Sequence, residues 1–174
     1  MSDYIMNLKV IKKIKHLLPV FMLMTATVYG QNGAATTLPR AFLVGEYEKE
    51  YAELMKQYPA SLLSVSKDSL DLAYRNFMQL LYDIEQHAKK MDFKLGGIKI
   101  WLNVFWNKDG RIDYISYYPK PNCRNTDFRM LTAFFIHFIQ NYKPKIKADT
   151  NFALYGSARF PSYAEKYIEN SKNK

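Results

Sequence analysis

Residues 98–118 read IKIWLNVFWNKDGRIDYISYY, two alternating runs heavy in rings and joined at Asn107-Lys108-Asp109-Gly110. A glycine at the end of that joint can take positive φ, which suits a three-residue hairpin loop with a bulge at Gly110. Counting back from the turn sets the register. Asn107 opposes Arg111, Trp106 opposes Ile112, Phe105 opposes Asp113, Val104 opposes Tyr114, Asn103 opposes Ile115, Leu102 opposes Ser116 and Trp101 opposes Tyr117. One face then carries Ile98, Ile100, Leu102, Val104, Trp106, Ile112, Tyr114 and Tyr118, almost wholly apolar. The other mixes rings with polar groups: Lys99, Trp101, Asn103, Phe105, Arg111, Asp113, Ile115 and Tyr117. The first face predicts a core. The second raises the question of what covers it.

Downstream, Pro119-Lys120-Pro121-Asn122 breaks the second strand, and Asn125 or Thr126 can cap a helix with its body at 128–142. Phe128, Leu131, Phe134, Phe135, Phe138, Ile139 and Tyr142 give that helix a broad apolar stripe, so it must be mostly buried. Pro144 ends it, and Phe152, Leu154, Gly156, Ala158 and Phe160 alternate as a third strand, with a short helix or tail over 163–174. Upstream, Tyr47, Tyr51, Leu54, Met55 and Tyr58 recur at helical spacing up to Pro59. Residues 61–65 read as a strand or a connector. Lys67-Asp68-Ser69 starts a long helix from Leu70 through Met91, expected to close near Leu95-Gly96-Gly97. The order predicts an α+β fold: a β-hairpin plus a third strand packed on a Phe-rich helix (ββαβ), preceded by two helices.

The N-terminus is separate from this fold. Lys9, Lys12, Lys13 and Lys15 precede an uncharged apolar run at 17–28, and small or tolerated side chains lead up to Gln31. This is the order of a secretory signal peptide with cleavage after Gly30. About a dozen apolar residues fall short of the roughly 20 needed to span a membrane; if retained, the segment would tether the domain to the inner membrane instead. The organisation expected is therefore a signal peptide at 1–30, a flexible lead at 31–44, a helical extension at 45–95, an α+β domain at 96–162 and a tail at 163–174. Removing residues 1–30 takes away four Lys and one Asp, so the formal charge of +9 becomes +6. In a periplasmic or secreted protein of a Gram-negative cell, that balance favours anionic envelope partners over nucleic acid. One cysteine, Cys123, rules out an intramolecular disulfide, so packing must hold the fold.

The run from Gly97 to Phe105, the Asn107–Ile112 turn with Lys108-Asp109-Gly110, the capped helix ending at Pro144 and the last strand closing on Phe160-Pro161 resemble the C-terminal domain of TonB-type energy transducers and related TolA-like periplasmic folds. The resemblance covers residues 96–162. It implies a module that recognises a protein or peptide by adding the partner's strand to the edge of its sheet. The edge strand would be 151–160, with Phe152, Leu154, Tyr155 and Arg159. The second contact surface would be the mixed face, with Trp101, Asn103, Phe105, Arg111, Ile115 and Tyr117. No Pro-rich linker precedes residue 96, and the helices before it are additional to the family pattern.

No catalytic residue, metal ligand or cofactor is singled out. HExxH, a Gly-rich phosphate loop and GxSxG are all absent. Cys123 lies before a helix beside Arg124, where a thiol pKa can fall. His137, however, is about fourteen helical positions further on, roughly 20 Å away. His87 could approach Cys123 only through the tertiary fold. Glu46, Glu48, Glu50 and Glu53 read as a solvated helix face. An aromatic sheet on a basic domain also suits RNA, but the export signal and the lack of the RNP1 pattern argue against nucleic acid. The expected function is a non-enzymatic envelope module that binds a protein or peptide. The alternative is a periplasmic enzyme or small-ligand carrier with its pocket between the mixed face and the long helix.

Overall fold

A computed structural model describes residues 37–172. The signal segment 1–30 and residues 31–36 of the expected lead lie outside the described residues. The fold is α+β, with a five-stranded mixed sheet and five helices among the described residues. In chain order these are β1 (Ala41–Leu43), α1 (Glu48–Gln57), β2 (Ala60–Ser61), α2 (Leu62–Val65), α3 (Leu70–Lys90), β3 (Lys99–Trp106), β4 (Ile112–Pro119), α4 (Phe128–Asn141), β5 (Phe152–Arg159) and α5 (Ala164–Lys172).

The hairpin forms as its turn chemistry predicts. Gly110 has φ +80°, Asn107 N–H donates to Arg111 O at 3.0 Å, and Asn107 Oδ1 accepts from the N–H groups of Asp109 and Arg111, both at 3.1 Å. The register holds for Trp106 and Ile112 but then slips by one residue, so that Phe105 opposes Tyr114 and Val104 opposes Ile115. Asp113 is the extra residue of a bulge, and an extra residue turns every later side chain of its strand to the other face. Polar partners hold it. Arg40 donates to the carbonyls of Ile112 and Asp113 at 2.6 and 3.2 Å, while Asn107 and the Tyr58 hydroxyl donate to the Asp113 carboxylate at 3.1 and 2.8 Å.

The slip corrects the expected faces. Ile115 and Tyr117 join Leu102 and Val104 in the main core, and all four are fully buried. Tyr114, Ser116 and Tyr118 move to the mixed face beside Phe105, Asn103 and Trp101. In its new place the Tyr117 hydroxyl donates to Phe128 O at 2.8 Å and meets Thr132 Oγ1 at 2.7 Å, tying β4 to α4. That matters because a buried hydroxyl without partners is costly.

Sheet order is β1-β4-β3-β5-β2. The two added strands are both parallel to their neighbours: β1 to β4, and β2 to β5. The expected flexible lead therefore contains a buried strand; Ala41 and Phe42 are at most 1% exposed. Residues 60–65 divide into a two-residue strand and one helical turn, closed by reciprocal Ser61 and Ser64 side-chain bonds to backbone. α3 starts on a Ser69 cap, as the sequence predicts, but ends at Lys90. The left-handed residue that follows is Asp92, while Gly97 serves the turn into β3. The cap of α4 is Asp127, its side chain accepting from Arg129 N–H, rather than Asn125 or Thr126.

Helices lie on both faces of the sheet. α3, α4 and α5 cover the first face, where Phe134, Phe135, Phe138, Ile84 and Leu81 meet Ile100, Leu102 and Val104. α1 covers part of the second face in a smaller cluster of Phe42, Leu54, Tyr58, Phe105 and Ala153. Each large apolar side chain buried in this way contributes roughly 1.5–3 kcal/mol. Both clusters are therefore structural.

Candidate functional site

α1 is only ten residues long, and it reaches across the second face no further than Tyr51 and Asn103, where Asn103 Nδ2 donates to the Tyr51 hydroxyl and to Ser116 Oγ, both at 3.1 Å. Beyond that line the face is open. Trp101 is 51% exposed, Tyr118 53% and Tyr155 52%. Trp101 stands opposite Tyr118 on β4 and opposite Ser157 on β5. Lys120 crosses this ring, with Nζ 4.2 Å from the indole centroid, and donates to Ser157 Oγ at 2.8 Å. A cation over an indole is attracted by the ring quadrupole, so Lys120 straps β4 to β5 across Trp101. Partial burial, and after it the neighbouring Tyr51 phenol, push the Tyr155 phenol pKa up, and the ring meets Phe105 edge-on at 5.9 Å between centroids.

The rim of this face is the outer edge of β5. β2 pairs only with Phe152 and Ala153, which leaves 154–159 without a neighbouring strand on that side. Phe160 N–H donates to Ile98 O, so by antiparallel alternation Phe152, Leu154, Gly156 and Ala158 bond inward to β3. Tyr155, Ser157 and Arg159 therefore aim their backbone N–H and C=O groups outward. Among the described residues nothing satisfies these groups. The open stretch spans roughly 20 Å at ~3.3 Å per residue.

At the Arg159 end the edge meets a cleft of about 610 Å³ between β5, α3 and α5. Phe77, Met78, Leu81 and Phe160 form its apolar lining, Tyr74 and Tyr163 flank it, and Lys99, Arg159 and Lys166 stand at its rim.

The expected contact residues separate on this geometry. Trp101 is in the open patch, and Asn103 sits half-buried at its border. Phe105, Ile115 and Tyr117 are fully buried, the last two under the helices of the opposite face, so none of the three offers a contact surface. Arg111 is exposed at the hairpin end, away from Trp101. On β5, Phe152 is buried and stacked on Trp106, Leu154 is half-buried on the core side, and Tyr155 and Arg159 are exposed. The sequence reading missed Tyr118, Lys120 and Ser157. The first was assigned to the wrong face by the unslipped register, and the other two carry no signal until β4 and β5 are known to flank β3. The long helix lies across the sheet from Trp101, so among the described residues α3 and the aromatic face do not enclose a pocket between them.

Among the described residues the groups with reactive chemistry do not converge. His87 Nε2 lies 2.8 Å from His137 Nδ1, so each imidazole is engaged by the other rather than by a thiol. Cys123 Sγ accepts from Lys99 N–H at 3.4 Å. Of the α1 acids, Glu53 pairs with Lys56 at 2.7 Å on the surface. Among the described residues no group of three or more potential ligands could hold a metal ion, and no helix is long and apolar enough to cross a membrane. Compared with protein-family models, curated proteins and solved structures, the chain matches none.

Proposed function

We propose that this protein is a non-enzymatic, exported binding module of a Gram-negative envelope, of the kind the TonB-like resemblance implies. It takes up an extended segment of an envelope protein or peptide as an added strand on β5. The observation that carries the reading is the outer edge of β5, where Tyr155, Ser157 and Arg159 present backbone donors and acceptors with no neighbouring strand. An added strand gains affinity from backbone hydrogen bonds and selectivity from alternate side chains. Here one set of alternate side chains would lie over Tyr155 and Trp101, the other toward Phe77 and Leu154. The element order β3-β4-α4-β5 supports this reading, with β1, β2, the three helices before β3 and α5 standing outside it.

A photo-crosslinking residue at position 155 in the exported protein tests this. The expected adduct forms on an extended segment of one envelope protein and is lost when Ser157→Pro removes an outward N–H. Such a proline is tolerated at an open edge because its missing N–H was not part of the β3 ladder. An adduct that persists in Ser157→Pro would contradict strand addition.

A further inference from the structure

The open edge is bounded at both ends. Ser61 of β2 occupies the slot beside Ala153, and at the other end the chain turns away at Pro161, where Ser162 is tied to Glu85 of α3. Residues 160–163 thereby wall the cleft that terminates the slot. A segment that ends there fits, whereas one that continues must climb over the wall.

Charge marks the same end. Lys99 and Arg159 are directly opposed across β3 and β5, and like charges in that position are destabilising. Neither lies within ion-pair distance of a carboxylate among the described residues. Lys166 adds a third cation. The one acid on the cleft, Glu165, is taken by Lys89 at 2.8 and 3.1 Å and by Gln86 at 3.3 Å. Basic groups held together against repulsion, beside an apolar hole and at the end of a free sheet edge, match three features of one ligand: a carboxylate, an apolar side chain and an extended backbone.

Resting on the strand-addition reading, we infer that the partner is the free C-terminus of a polypeptide. It lies parallel to β5, in line behind β2, with its terminal carboxylate at Lys99 and Arg159 and its last apolar side chain in the cleft between Phe77 and Tyr163. Parallel addition is the direction that brings a carboxyl end to Arg159; the antiparallel direction would bring an ammonium group to three cations. A second copy of this chain paired antiparallel, β5 to β5 about Ser157, would place Tyr155 opposite Arg159 and leave the Lys99 and Arg159 cations without an acidic partner.

The test uses the full mature chain and two fluorescein-labelled random hexapeptide pools ending in Phe, Leu or Val, identical except that one carries a free carboxyl terminus and the other a C-terminal amide. The acid pool is expected to bind about ten-fold more tightly or better by anisotropy. That preference should vanish in the Lys99→Gln, Arg159→Gln double variant, whose fold is checked by an unchanged circular dichroism spectrum and a melting temperature no lower than that of the parent chain, since the substitutions relieve a like-charge pair. Equal binding of both pools, lost in Ser157→Pro, would overturn terminal recognition while leaving strand addition intact. Absence of binding by either pool would overturn the inference, with the crosslink at position 155 deciding the broader reading separately. A dimer in sedimentation velocity that Ser157→Pro abolishes would assign the edge to a second copy and would likewise overturn it.

Discussion

Gly110 shows how closely a single position can be specified. It combines φ +80° with a backbone neighbour: a Cβ built there would lie 1.7 Å from Ile146 O. The crowding comes from the loop after α4, where Ala148 N–H donates to Lys108 O at 3.0 Å and holds that loop against the hairpin tip. Gly110→Ala should therefore cost clearly more than the roughly 1–2 kcal/mol of a left-handed backbone alone. Urea unfolding measures it; a loss of only ~1 kcal/mol would mean that the loop is not seated as described. The His87–His137 pair is a second residue-scale case. Burial, then His137, then Lys90 lower the His87 pKa, so the folded protein favours the neutral ring and the unfolded chain binds more protons. The resulting stability is present above the unfolded value near 6.5 and is lost as pH falls through the lower folded one. Between pH 7 and pH 5 the urea midpoint should drop, and His87→Gln should flatten that slope. An equal slope in the variant would remove His87 as its source.

Among the elements, the hairpin decides most. Its turn and first two pairs were legible because Asn-Lys-Asp-Gly admits few geometries. The bulge was not, because Ile112-Asp113-Tyr114-Ile115-Ser116-Tyr117 places apolar side chains on both alternations, and either register buries something. What selects the observed register is Arg40, Tyr58 and Asn107 gathering around Asp113, three partners from two distant segments and the turn. Asp113→Ala removes two side-chain hydrogen bonds and leaves the part-buried Tyr58 hydroxyl without its acceptor. A loss of about 2–3 kcal/mol is expected in urea unfolding. A change below ~0.5 kcal/mol would show that the bulge does not depend on this carboxylate. α4 was readable from its Phe stripe alone. β1 and β2 have three and two residues, too few to show a period, and what makes them strands is the neighbour each finds in β4 or β5.

For the whole molecule, the same shortness leaves the candidate site open. β1 and β2 end the sheet on either side, and because β2 stops at Ser61, most of β5 keeps a free edge. α1 is likewise too short to cover the second face, which leaves Trp101, Tyr118 and Tyr155 beside that edge. The sequence showed a surplus of rings on the sheet but not how they divide. Phe105, Ile115 and Tyr117 proved to be core because α1 and the slipped register claim them, whereas Trp101 stayed out under Lys120.

The central claim, that the outer edge of β5 is open, is tested most directly by residue-resolved amide hydrogen exchange of the free protein. Tyr155, Ser157 and Arg159 are predicted to exchange within minutes while Leu154, Gly156 and Ala158 are protected to near the global unfolding limit. Uniform protection of all six amides would mean that another segment already occupies the edge, and would contradict the account.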